Sequence, residues 1–326
     1  MKAVLCRAHG APESLAIGEL PTPVAGDDEV LVEVHAAAVN FPDVLMVAGK
    51  YQSQPPMPFA PGSEVGGIVC AVGAGITDIK PGDRVMASVG HGGFAEYAVT
   101  RRRGIRKISA GMDLITASAI GVTYGTSYHA LRQRANLQPG ETLLVTGAAG
   151  GVGLAAVELG KAMGARVIAC ASSASKLEAA KAAGADELIN YSSGNIRDQI
   201  KELTGGKGID VVYDAVGGPM FDQLVRSMAW NGRLLIIGFV GGDIPKVAIN
   251  LLLLKGAAAV GVFYGSFAAR DPGLDAQNFA QMFAWIEDGT LKPLISKAYP
   301  MDQYAAAMNA LAHREVIGKV VLKVRE

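Results

Sequence analysis

The sequence predicts an α/β protein with two domains, a compact β-barrel-like domain and a doubly wound parallel-sheet domain. Its 326 residues are too many for one modest hydrophobic core. The first third shows period-two alternation of apolar and polar residues, broken by Gly and Pro turns. From about residue 120, apolar strands alternate with Ala-rich helices, and that order predicts a parallel sheet with right-handed crossovers.

The β-rich part is clearest in residues 29–35, where valines at alternate positions face one side and polar residues the other. Further short strands are predicted at 67–72 and 84–87. Each is bounded by Gly and Pro residues that favour turns. Many short strands with such turns are typical of a barrel-like domain.

The later part of the chain predicts a series of βα units. The expected strands are 142–146, 166–170, 187–191, 210–214, 233–239 and 258–264. Helices between them are expected at 152–164, 175–183 and 194–204. A further helix at 277–287 leads to a last strand, 318–324, which we expect to rejoin the first domain.

Charge and hydropathy exclude several classes of partner. The 30 basic residues balance 30 acidic ones, so no overall field attracts nucleic acid or an anionic membrane. The apolar stretch 247–265 is interrupted by Asn250 and Lys255, which indicates core and not a membrane span. The residues after Met1 lack the pattern of a secretory signal, and a cytoplasmic location is expected.

Cysteine and histidine spacing gives no sign of a metal site. Cys6, Cys70 and Cys170 lie far apart without a Cys-x-x-Cys pair, so neither a disulfide framework nor a zinc knuckle is indicated. The histidines are also scattered: His9, His35, His91, His129 and His313. We expect ordinary surface or core roles for them.

Small residues fill the turn after the strand 142–146, where residues 146–153 read Thr-Gly-Ala-Ala-Gly-Gly-Val-Gly. A strand, a glycine-rich turn and a helix together present backbone N–H groups and a positive helix end, which suits a pyrophosphate. Gly150 would let phosphates approach, and Gly153 would let the helix pack on the strand. Ala148 replaces the first glycine of G-x-G-x-x-G, but the position in a βαβ unit favours dinucleotide binding over mere tight packing.

The end of the next strand indicates which dinucleotide is bound. An NAD site offers Asp or Glu about 20 residues past the glycines, whereas residues 169–176 read Ala-Cys-Ala-Ser-Ser-Ala-Ser-Lys. Ser172 and Ser173 can donate hydrogen bonds and Lys176 supplies charge to a 2′-phosphate, so NADPH is the expected cofactor. Ser172 alternatively caps the following helix, a role compatible with phosphate contact. Tyr191, after the third strand, either reaches this pocket or belongs to the core.

Six short motifs spread over nearly the whole chain carry a family resemblance. They are Ala-Ala-Ala-Val-Asn-Phe-Pro-Asp at 36–43, Pro-Gly-Ser-Glu-Val-Gly-Gly at 61–67, Gly-Val-Thr-Tyr-Gly-Thr at 121–126, Ala-Ala-Gly-Gly-Val-Gly at 148–153, Asp-Ala-Val-Gly-Gly at 214–218 and Gly-Lys-Val-Val-Leu at 318–322. With these motifs the chain resembles the zinc-independent quinone oxidoreductases of the medium-chain dehydrogenase/reductase superfamily.

The resemblance implies an architecture and a metal-free site. It predicts a GroES-like catalytic domain of residues 1–122 and 266–326, a Rossmann domain of residues 123–265, and an active site in the cleft between them. The zinc-dependent branch of the superfamily has Cys where this chain has Asn40 and His where it has Ser63. Without those ligands nothing here would stabilise an alkoxide, so metal-assisted alcohol oxidation is disfavoured.

The resemblance also implies roles for individual residues. It places Asn40, Asp43 and Tyr51 in the substrate cleft. Asn40 would lie beside the cofactor ribose or nicotinamide, and Tyr51 would donate to a carbonyl oxygen or make a contact of shape only. For Asp43 a structural hydrogen bond is favoured over proton transfer. The implied cofactor contacts are Thr123; Ala149, Gly150, Gly151 and Val152 at the pyrophosphate; Ser172, Ser173, Lys176 and Tyr191 at the 2′-phosphate; Phe239, Val240, Phe263 and Tyr264 near the nicotinamide, where each aromatic ring is otherwise core; and Lys319 on the closing strand.

The predicted function is NADPH-dependent reduction of quinones or related α,β-unsaturated carbonyls by metal-free hydride transfer. The basic segment 101–107, which has no acidic counterpart nearby in sequence, is interpreted as a solvated loop. Its alternative role is to dock the phosphates of an acyl-CoA, which would make the protein an enoyl-thioester reductase. A non-catalytic NADPH-binding redox sensor is the third hypothesis. The strand 258–264 ends the predicted sheet, and its free edge predicts a homodimer, as the resemblance also implies.

Overall fold

A computed structural model describes residues 1–325, which form two compact units. The first unit comprises Met1–Val122 and the chain from Pro293 onward, and the second comprises Thr123–Lys292. The expected division after residue 122 coincides with this one. The second division lies after Lys292 and not after residue 265, because the helix between these points packs inside the second unit: Asn278 Oδ1 accepts a hydrogen bond from Gln133 at 2.9 Å.

The strands are bounded in the structure as follows: β1 (Lys2–Leu5), β2 (Ala16–Glu19), β3 (Glu29–Ala38), β4 (Glu64–Val72), β5 (Arg84–Ser88), β6 (Tyr97–Arg101), β7 (Ile105–Lys107), β8 (Thr142–Thr146), β9 (Arg166–Ala171), β10 (Glu187–Asn190), β11 (Ile209–Asp214), β12 (Met228–Ile236), β13 (Ala258–Gly261), β14 (Ile295–Pro300) and β15 (Lys319–Lys323).

The α-helices are α1 (Phe41–Val47), α2 (Leu114–Tyr128), α3 (Gly151–Ala162), α4 (Ala174–Ala182), α5 (Ile196–Leu203), α6 (Met220–Arg226), α7 (Asn250–Lys255), α8 (Tyr264–Arg270), α9 (Pro272–Glu287) and α10 (Tyr304–Ala312). After α2 the chain continues as a π-helical turn, His129–Arg134.

The first unit is built on a curved, mainly antiparallel seven-stranded sheet with the order β14-β15-β3-β4-β5-β7, to which β6 adds by pairing with β3. The alternating valines of β3 are buried on one face, as their period predicts. The last strand, β15, pairs antiparallel with β3. The prediction that the C-terminal segment rejoins the first domain is therefore confirmed.

The second unit is a doubly wound domain around a six-stranded parallel sheet with the order β10-β9-β8-β11-β12-β13. This is the order 3-2-1-4-5-6 of the dinucleotide-binding fold. β8 lies inside the sheet between β9 and β11, and its three central residues, Leu143, Leu144 and Val145, are apolar and fully buried. Such continuous burial on both faces is expected of a parallel strand covered by helices on each side. The turn after β8 therefore lies at the centre of the sheet's carboxyl edge.

The end of the parallel sheet differs from the sequence prediction. The expected strand 258–264 stops at Gly261, and Tyr264 opens α8. The tyrosine hydroxyl donates to Asp275 of α9 at 3.1 Å, so this turn of chain is held against the helix that follows. Apolar, β-favouring residues at 262–264 concealed that helix from sequence patterning.

No helix within residues 1–325 is long and apolar enough to cross a membrane. The apolar stretch 247–265 is divided between α7, β13 and the start of α8, with Gly256 between the first two in a left-handed conformation. The expectation that this stretch is not a span agrees with that division.

Candidate active site

The turn between β8 and α3 is shaped by two glycines that act differently. A Cβ on Gly153 would lie 2.2 Å from the carbonyl oxygen of Gly147, so only glycine lets the helix approach the turn this closely. The packing role predicted for Gly153 is confirmed. A Cβ on Gly150 would meet only the same oxygen at 3.5 Å, an ordinary contact. Nothing in the protein therefore requires glycine at position 150, and the space in front of it is open.

The amino end of α3 keeps its hydrogen-bonding capacity. Gly150 occupies the N-cap position without a side chain, and the first turn contains no acidic residue. The first N–H groups of a helix have no intrahelical partner, and they carry the positive end of the helix dipole. Ser127 anchors this end, since its hydroxyl donates to the Val152 carbonyl at 3.0 Å and lies 2.8 Å from the Tyr213 hydroxyl. Ala149, Gly151 and Val152 thus border an anchored helix end whose first N–H groups have no intrahelical partner.

The residues that follow β9 form what we call the serine–lysine pocket: Ser172, Ser173 and Lys176. Ser173 is the N-cap of α4 and accepts from the Lys176 backbone N–H at 3.4 Å. The sequence suggested Ser172 for this capping role, and the structure assigns it to Ser173 because α4 begins at Ala174. The Ser172 hydroxyl makes no hydrogen bond within residues 1–325, while its carbonyl accepts from Ser192 at 3.2 Å. Residues 172–177, which directly follow β9, contain no carboxylate.

Tyr191 follows β10, the strand that pairs with β9, and it packs against the hydrophobic core. It follows β10 directly, its backbone N–H donates to Ala171 at 3.2 Å, and its ring packs against the buried cluster beneath the sheet. Of the two roles considered from sequence, the packing role is visible. At this position after β10, Tyr191 is half-buried.

The residues expected near the nicotinamide fall into two groups. Thr123, in α2, is buried, whereas Phe239 and Phe263 are 37% and 65% exposed. Val240 follows β12 beside Phe239 and is half-buried. Tyr264 is committed elsewhere, because its ring fills the space above Gly125, where a Cβ would lie 2.5 Å from the ring. Its hydroxyl bonds to Asp275, so Tyr264 has a structural role.

In the first unit, three buried side chains form a polar triad: Asn40, Glu64 and Lys319. The Lys319 ammonium donates to Asn40 Oδ1 at 2.6 Å, to Glu64 Oε1 at 3.2 Å and to the Val39 carbonyl at 3.1 Å. Asn40 Nδ2 donates to Glu64 Oε1 at 2.8 Å, and the Val122 N–H donates to Glu64 Oε2 at 2.8 Å. The charged ends of Glu64 and Lys319 are thus fully engaged, and the strands β3, β4 and β15 are joined through the triad.

Asp43 stands beside this triad as a fully buried acid with a raised pKa. Its carboxylate accepts from the Asn40 backbone N–H at 2.8 Å, which closes the first turn of α1. Complete burial raises the pKa of Asp43 to about 7, against the lowering effect of the Asn40 N–H and of the Lys319 charge. The other oxygen, Oδ1, is buried without a hydrogen-bond partner among the described residues.

Tyr51 lies in the loop after α1 and packs its ring against the core of the first unit. Its hydroxyl makes no hydrogen bond within residues 1–325. Partial burial, and then the nearby charge of Asp43, raise the pKa of Tyr51, so the hydroxyl keeps its proton at neutral pH. The tyrosine is therefore a hydrogen-bond donor without an internal acceptor.

Two buried acids were missed as site residues by the sequence reasoning. Glu64 lies in the motif at 61–67 and Asp214 in the motif at 214–218. Asp214 Oδ1 accepts from Thr146 at 2.6 Å and from the backbone of Val216 at 3.0 Å, and so it shapes the loop after β11. The available signal was an ionisable residue at the end of a mainly apolar strand, which requires a partner when it is buried. Lys319, the first residue of β15, was the matching signal for Glu64.

Two side chains of the basic segment 101–107 form ion pairs with acids between β4 and β5. Arg102 pairs with Asp78 through two hydrogen bonds, and the Lys107 ammonium lies 2.8 Å from Asp83. These pairs use charges that a phosphate ligand would require. The segment is solvated in part, since Arg101, Arg103 and Lys107 are exposed. Its interpretation as a loop is wrong, because Arg101 ends β6, Ile105–Lys107 form β7 and only residues 102–104 form a turn.

Two family models match the chain. Residues 26–110 match the alcohol dehydrogenase GroES-like domain, and residues 151–288 match the zinc-binding dehydrogenase family. A curated relative from Nematostella vectensis, named Quinone oxidoreductase-like protein 2 homolog, is 39% identical over 328 residues, which is 100% of this chain and 89% of that protein.

Solved structures reproduce the fold under different names. Escherichia coli quinone oxidoreductase complexed with NADPH has a TM-score of 0.92 at 28% identity, covering 99% of this chain and 100% of that one. An NAD-dependent alcohol dehydrogenase has a TM-score of 0.89 at 31% identity, covering 100% of both chains. The fold is thus shared by proteins named for NAD and for NADPH, so the fold alone does not show which coenzyme this chain binds.

The residues at the position of the superfamily's catalytic zinc do not fit that ion. Asn40 and Ser63 offer an amide and a hydroxyl, which are not usual zinc ligands. The Lys319 ammonium already lies 2.6 Å from Asn40 Oδ1. A divalent ion bound there would face direct repulsion from this charge. The chemistry of this site therefore has to be derived without a metal step.

Proposed function

Because this chain belongs to the zinc-independent quinone oxidoreductase family of the medium-chain dehydrogenase/reductase superfamily, we propose that it reduces quinones or related α,β-unsaturated carbonyls with NADPH. Conjugated acceptors of this kind take up a hydride readily and need no Lewis acid. Binding and orientation then supply most of the catalysis. The proposal fits a site whose metal position is filled by an ammonium group.

The observation that carries the proposal is the serine–lysine pocket. Lys176 and the unpaired Ser172 hydroxyl follow β9 at the position where an NAD-specific protein has a carboxylate. A lysine and a hydroxyl bind a 2′-phosphate by charge-assisted hydrogen bonds, whereas a carboxylate repels it. The same choice of coenzyme is named for the solved Escherichia coli quinone oxidoreductase.

The glycine turn would hold the pyrophosphate of the same coenzyme. Gly150 leaves open space, and the backbone N–H groups of Gly151 and Val152 stand at the positive end of α3. Thr123, Phe239, Val240 and Phe263 are the proposed neighbours of the nicotinamide. NADPH, when bound, supplies a hydride from that ring to the acceptor.

In the first unit we assign the contact with the acceptor to Tyr51. Its protonated hydroxyl lacks an internal acceptor, so it can donate to the carbonyl oxygen on which negative charge develops. Asn40 has one amide hydrogen left, since its second described contact, to Ser63 Oγ, is 3.5 Å long. That N–H is the part of Asn40 left for ribose or nicotinamide. Asp43 and Lys319 act as positioning residues, because they touch α1 and Asn40.

A homodimer through the outer edge of β13 is part of the proposal. β13 ends the parallel sheet, and exposed apolar side chains lie nearby: Ile249 at 76%, Leu253 at 79% and Phe263 at 65%. A second copy would cover both the edge and these side chains. Sedimentation equilibrium should give a dimer for the native chain and a monomer for Ala259→Pro. A monomeric native chain contradicts this part of the proposal.

The experiment that tests the proposed activity is steady-state oxidation of NADPH with a panel of acceptors. Turnover with ortho- or para-quinones is the expected result. Turnover only with an acyl-CoA ester would replace the proposal by the enoyl-thioester reductase hypothesis, although the paired basic segment offers that hypothesis no support. Tight NADPH binding without turnover on either panel would favour the redox sensor.

A further inference from the structure

A cavity of about 450 Å³ lies in the second unit, away from the glycine turn. Its walls come from α5 and the loop after it, the junction of α6 and β12, and the end of α7. The volume falls within the range of about 300–1,000 Å³ that is typical of small-molecule sites. The floor is apolar, with Ile200 and Met228 buried beneath it.

Cationic side chains surround this cavity. They are Arg197, Lys201, Lys207, Arg226 and Lys255, and no Asp or Glu lines it among the described residues. The chain as a whole has 30 basic and 30 acidic residues, so this is a local concentration of charge. Because the cations come from four separate chain segments, helix periodicity alone does not account for their convergence.

The side chains of Arg197, Lys201 and Lys207 form no ion pair or hydrogen bond with residues 1–325. Arg226 is paired with Asp222 at 2.7 Å through Nε, which leaves its terminal nitrogens available. Lys255 donates to the Met228 carbonyl at 2.8 Å. Lys207 also lies within electrostatic reach of Glu141, but that acid is paired with Arg233 at 2.7 Å. The cavity therefore has a surplus of unpaired positive charge.

Trp230 adds an aromatic surface to the rim. It begins the exposed part of β12, and 71% of the residue is accessible. One edge of its ring lies against Gly256, where a Cβ would be 3.4 Å from the indole. A large exposed indole beside a cluster of cations suits a ligand that has both a planar ring and negative charge.

The cavity is separate from the proposed coenzyme site, because the two lie at different ends of the strands. Gly208 and Met228, which line the cavity, stand at the amino ends of the parallel strands β11 and β12. The glycine turn and the serine–lysine pocket follow the carboxyl ends of β8 and β9. The two sites are at opposite edges of one sheet. The backbone N–H groups of residues 205–208 are all bonded internally, so any ligand here is bound by side chains.

We propose that this cavity is a second anion site that binds a nucleoside polyphosphate, with the phosphates against Lys201, Lys207 and Arg197 and the base on Trp230. Charge-assisted hydrogen bonds from lysine and arginine supply the binding energy, and the indole supplies preference for a planar ring. The inference is independent of the proposed reductase activity, because it uses none of the residues assigned to it.

Tryptophan fluorescence offers a direct test. The chain has two tryptophans, and the half-buried ring of Trp285 lies in tilted contact with Tyr128, 6.0 Å between centroids. The variant Trp285→Phe keeps an aromatic ring there and leaves Trp230 as the reporter. With NADP⁺ at saturation to block the coenzyme site, ATP should change its fluorescence saturably. Tripolyphosphate should compete with ATP, and adenosine alone should bind far more weakly.

Charge reversal then locates the site. In the Trp285→Phe background, Lys201→Glu and Lys207→Glu should each weaken ATP binding at least tenfold, while Lys181→Glu, an exposed lysine on α4, should not change it. The proposal is overturned if ATP gives no saturable response through the millimolar range or if Lys181→Glu weakens binding equally. A fluorescence change that follows protein concentration but not ATP would assign Trp230 to a contact between copies, and would also overturn it.

Discussion

Asn40 and Gly150 both precede a helix, yet the two helix ends are used in opposite ways. At α1, the Asp43 carboxylate bonds back to the Asn40 N–H at 2.8 Å, and the Asn40 amide is held by Lys319 and Glu64. At α3, Gly150 has no side chain and the first turn has no acid. The first arrangement engages most of its polar groups internally, whereas the first N–H groups of α3 have no intrahelical partner. Internal engagement fixes the shape of the first region, and the second region is the one that we propose to bind the coenzyme.

The largest expected effect comes from breaking the engaged region. Lys319→Met should lower the free energy of unfolding by about 3–5 kcal/mol, because it leaves the buried Glu64 charge without its partner. Urea denaturation measures this loss. The matched control, Glu64→Gln with Lys319→Met, removes both charges and should recover much of the stability. A loss below about 1 kcal/mol, as for an exposed ion pair, would mean that the triad is not an energetic unit.

The pH dependence of stability sharpens the same contrast. The pKa of Asp43 is raised to about 7, against about 3.9 in an unfolded chain. Between these values the folded chain keeps a proton that the unfolded chain has lost. Stability should therefore fall as the pH rises from about 4 to about 7, by at most about 1.4 kcal/mol per pH unit from this group.

The variant Asp43→Asn cannot titrate and still offers an oxygen to the Asn40 N–H. Its stability, measured by urea denaturation across the same range, should lack this part of the slope. Identical slopes for the native chain and the variant would show that Asp43 is ionised in both folded and unfolded states, which contradicts its placement in a dry site.

The glycine turn gives a paired test of structure against binding. Gly153→Ala should cost about 1–3 kcal/mol of stability, since its Cβ would lie 2.2 Å from the Gly147 oxygen. Gly150→Ala meets no such contact and has an ordinary φ of −78°. It should leave stability within about 0.5 kcal/mol and weaken NADPH instead.

Thermal unfolding and calorimetric titration with NADPH separate the two effects. If both glycine variants lose stability and keep full affinity, the open space at Gly150 is not where the coenzyme approaches. If Gly150→Ala alone loses affinity, Gly153 serves helix packing and Gly150 serves coenzyme binding, as proposed.

Sequence patterns predicted the regular parts of both regions and failed where tertiary contacts decide. The strand 142–146 was predicted to the residue, because a buried parallel strand is a continuous apolar run bounded by turn residues. The strand expected at 258–264 ends early, and α8 begins at Tyr264, whose hydroxyl donates to Asp275 of α9, 11 residues later. No local pattern contains that contact.

The candidate site shows the same limit. The open turn is local in sequence and was predicted from it. The residues of the serine–lysine pocket are also local in sequence, and their role stays a prediction. The polar triad joins residues 255 and 279 positions apart, so its assembly could not be read from spacing. Glu64 and Lys319 are each the first residue of a mainly apolar strand, a position that indicates a buried partner without identifying it.

The smallest expected effect is the most selective one, and it concerns Lys176. Replacing it by alanine removes a charge-assisted contact to the 2′-phosphate, which NADH lacks, and should weaken NADPH about tenfold. Lys181→Ala, on the exposed part of the same helix, is the matched control and should change neither coenzyme.

The measurement that tests the central claim most directly is the ratio of the NADPH and NADH dissociation constants, by calorimetry, for the native chain and for Lys176→Ala. The native chain should prefer NADPH, and the variant should lose that preference through weaker NADPH binding alone. Equal losses for both coenzymes, or a native chain that prefers NADH, would contradict the assignment of the serine–lysine pocket.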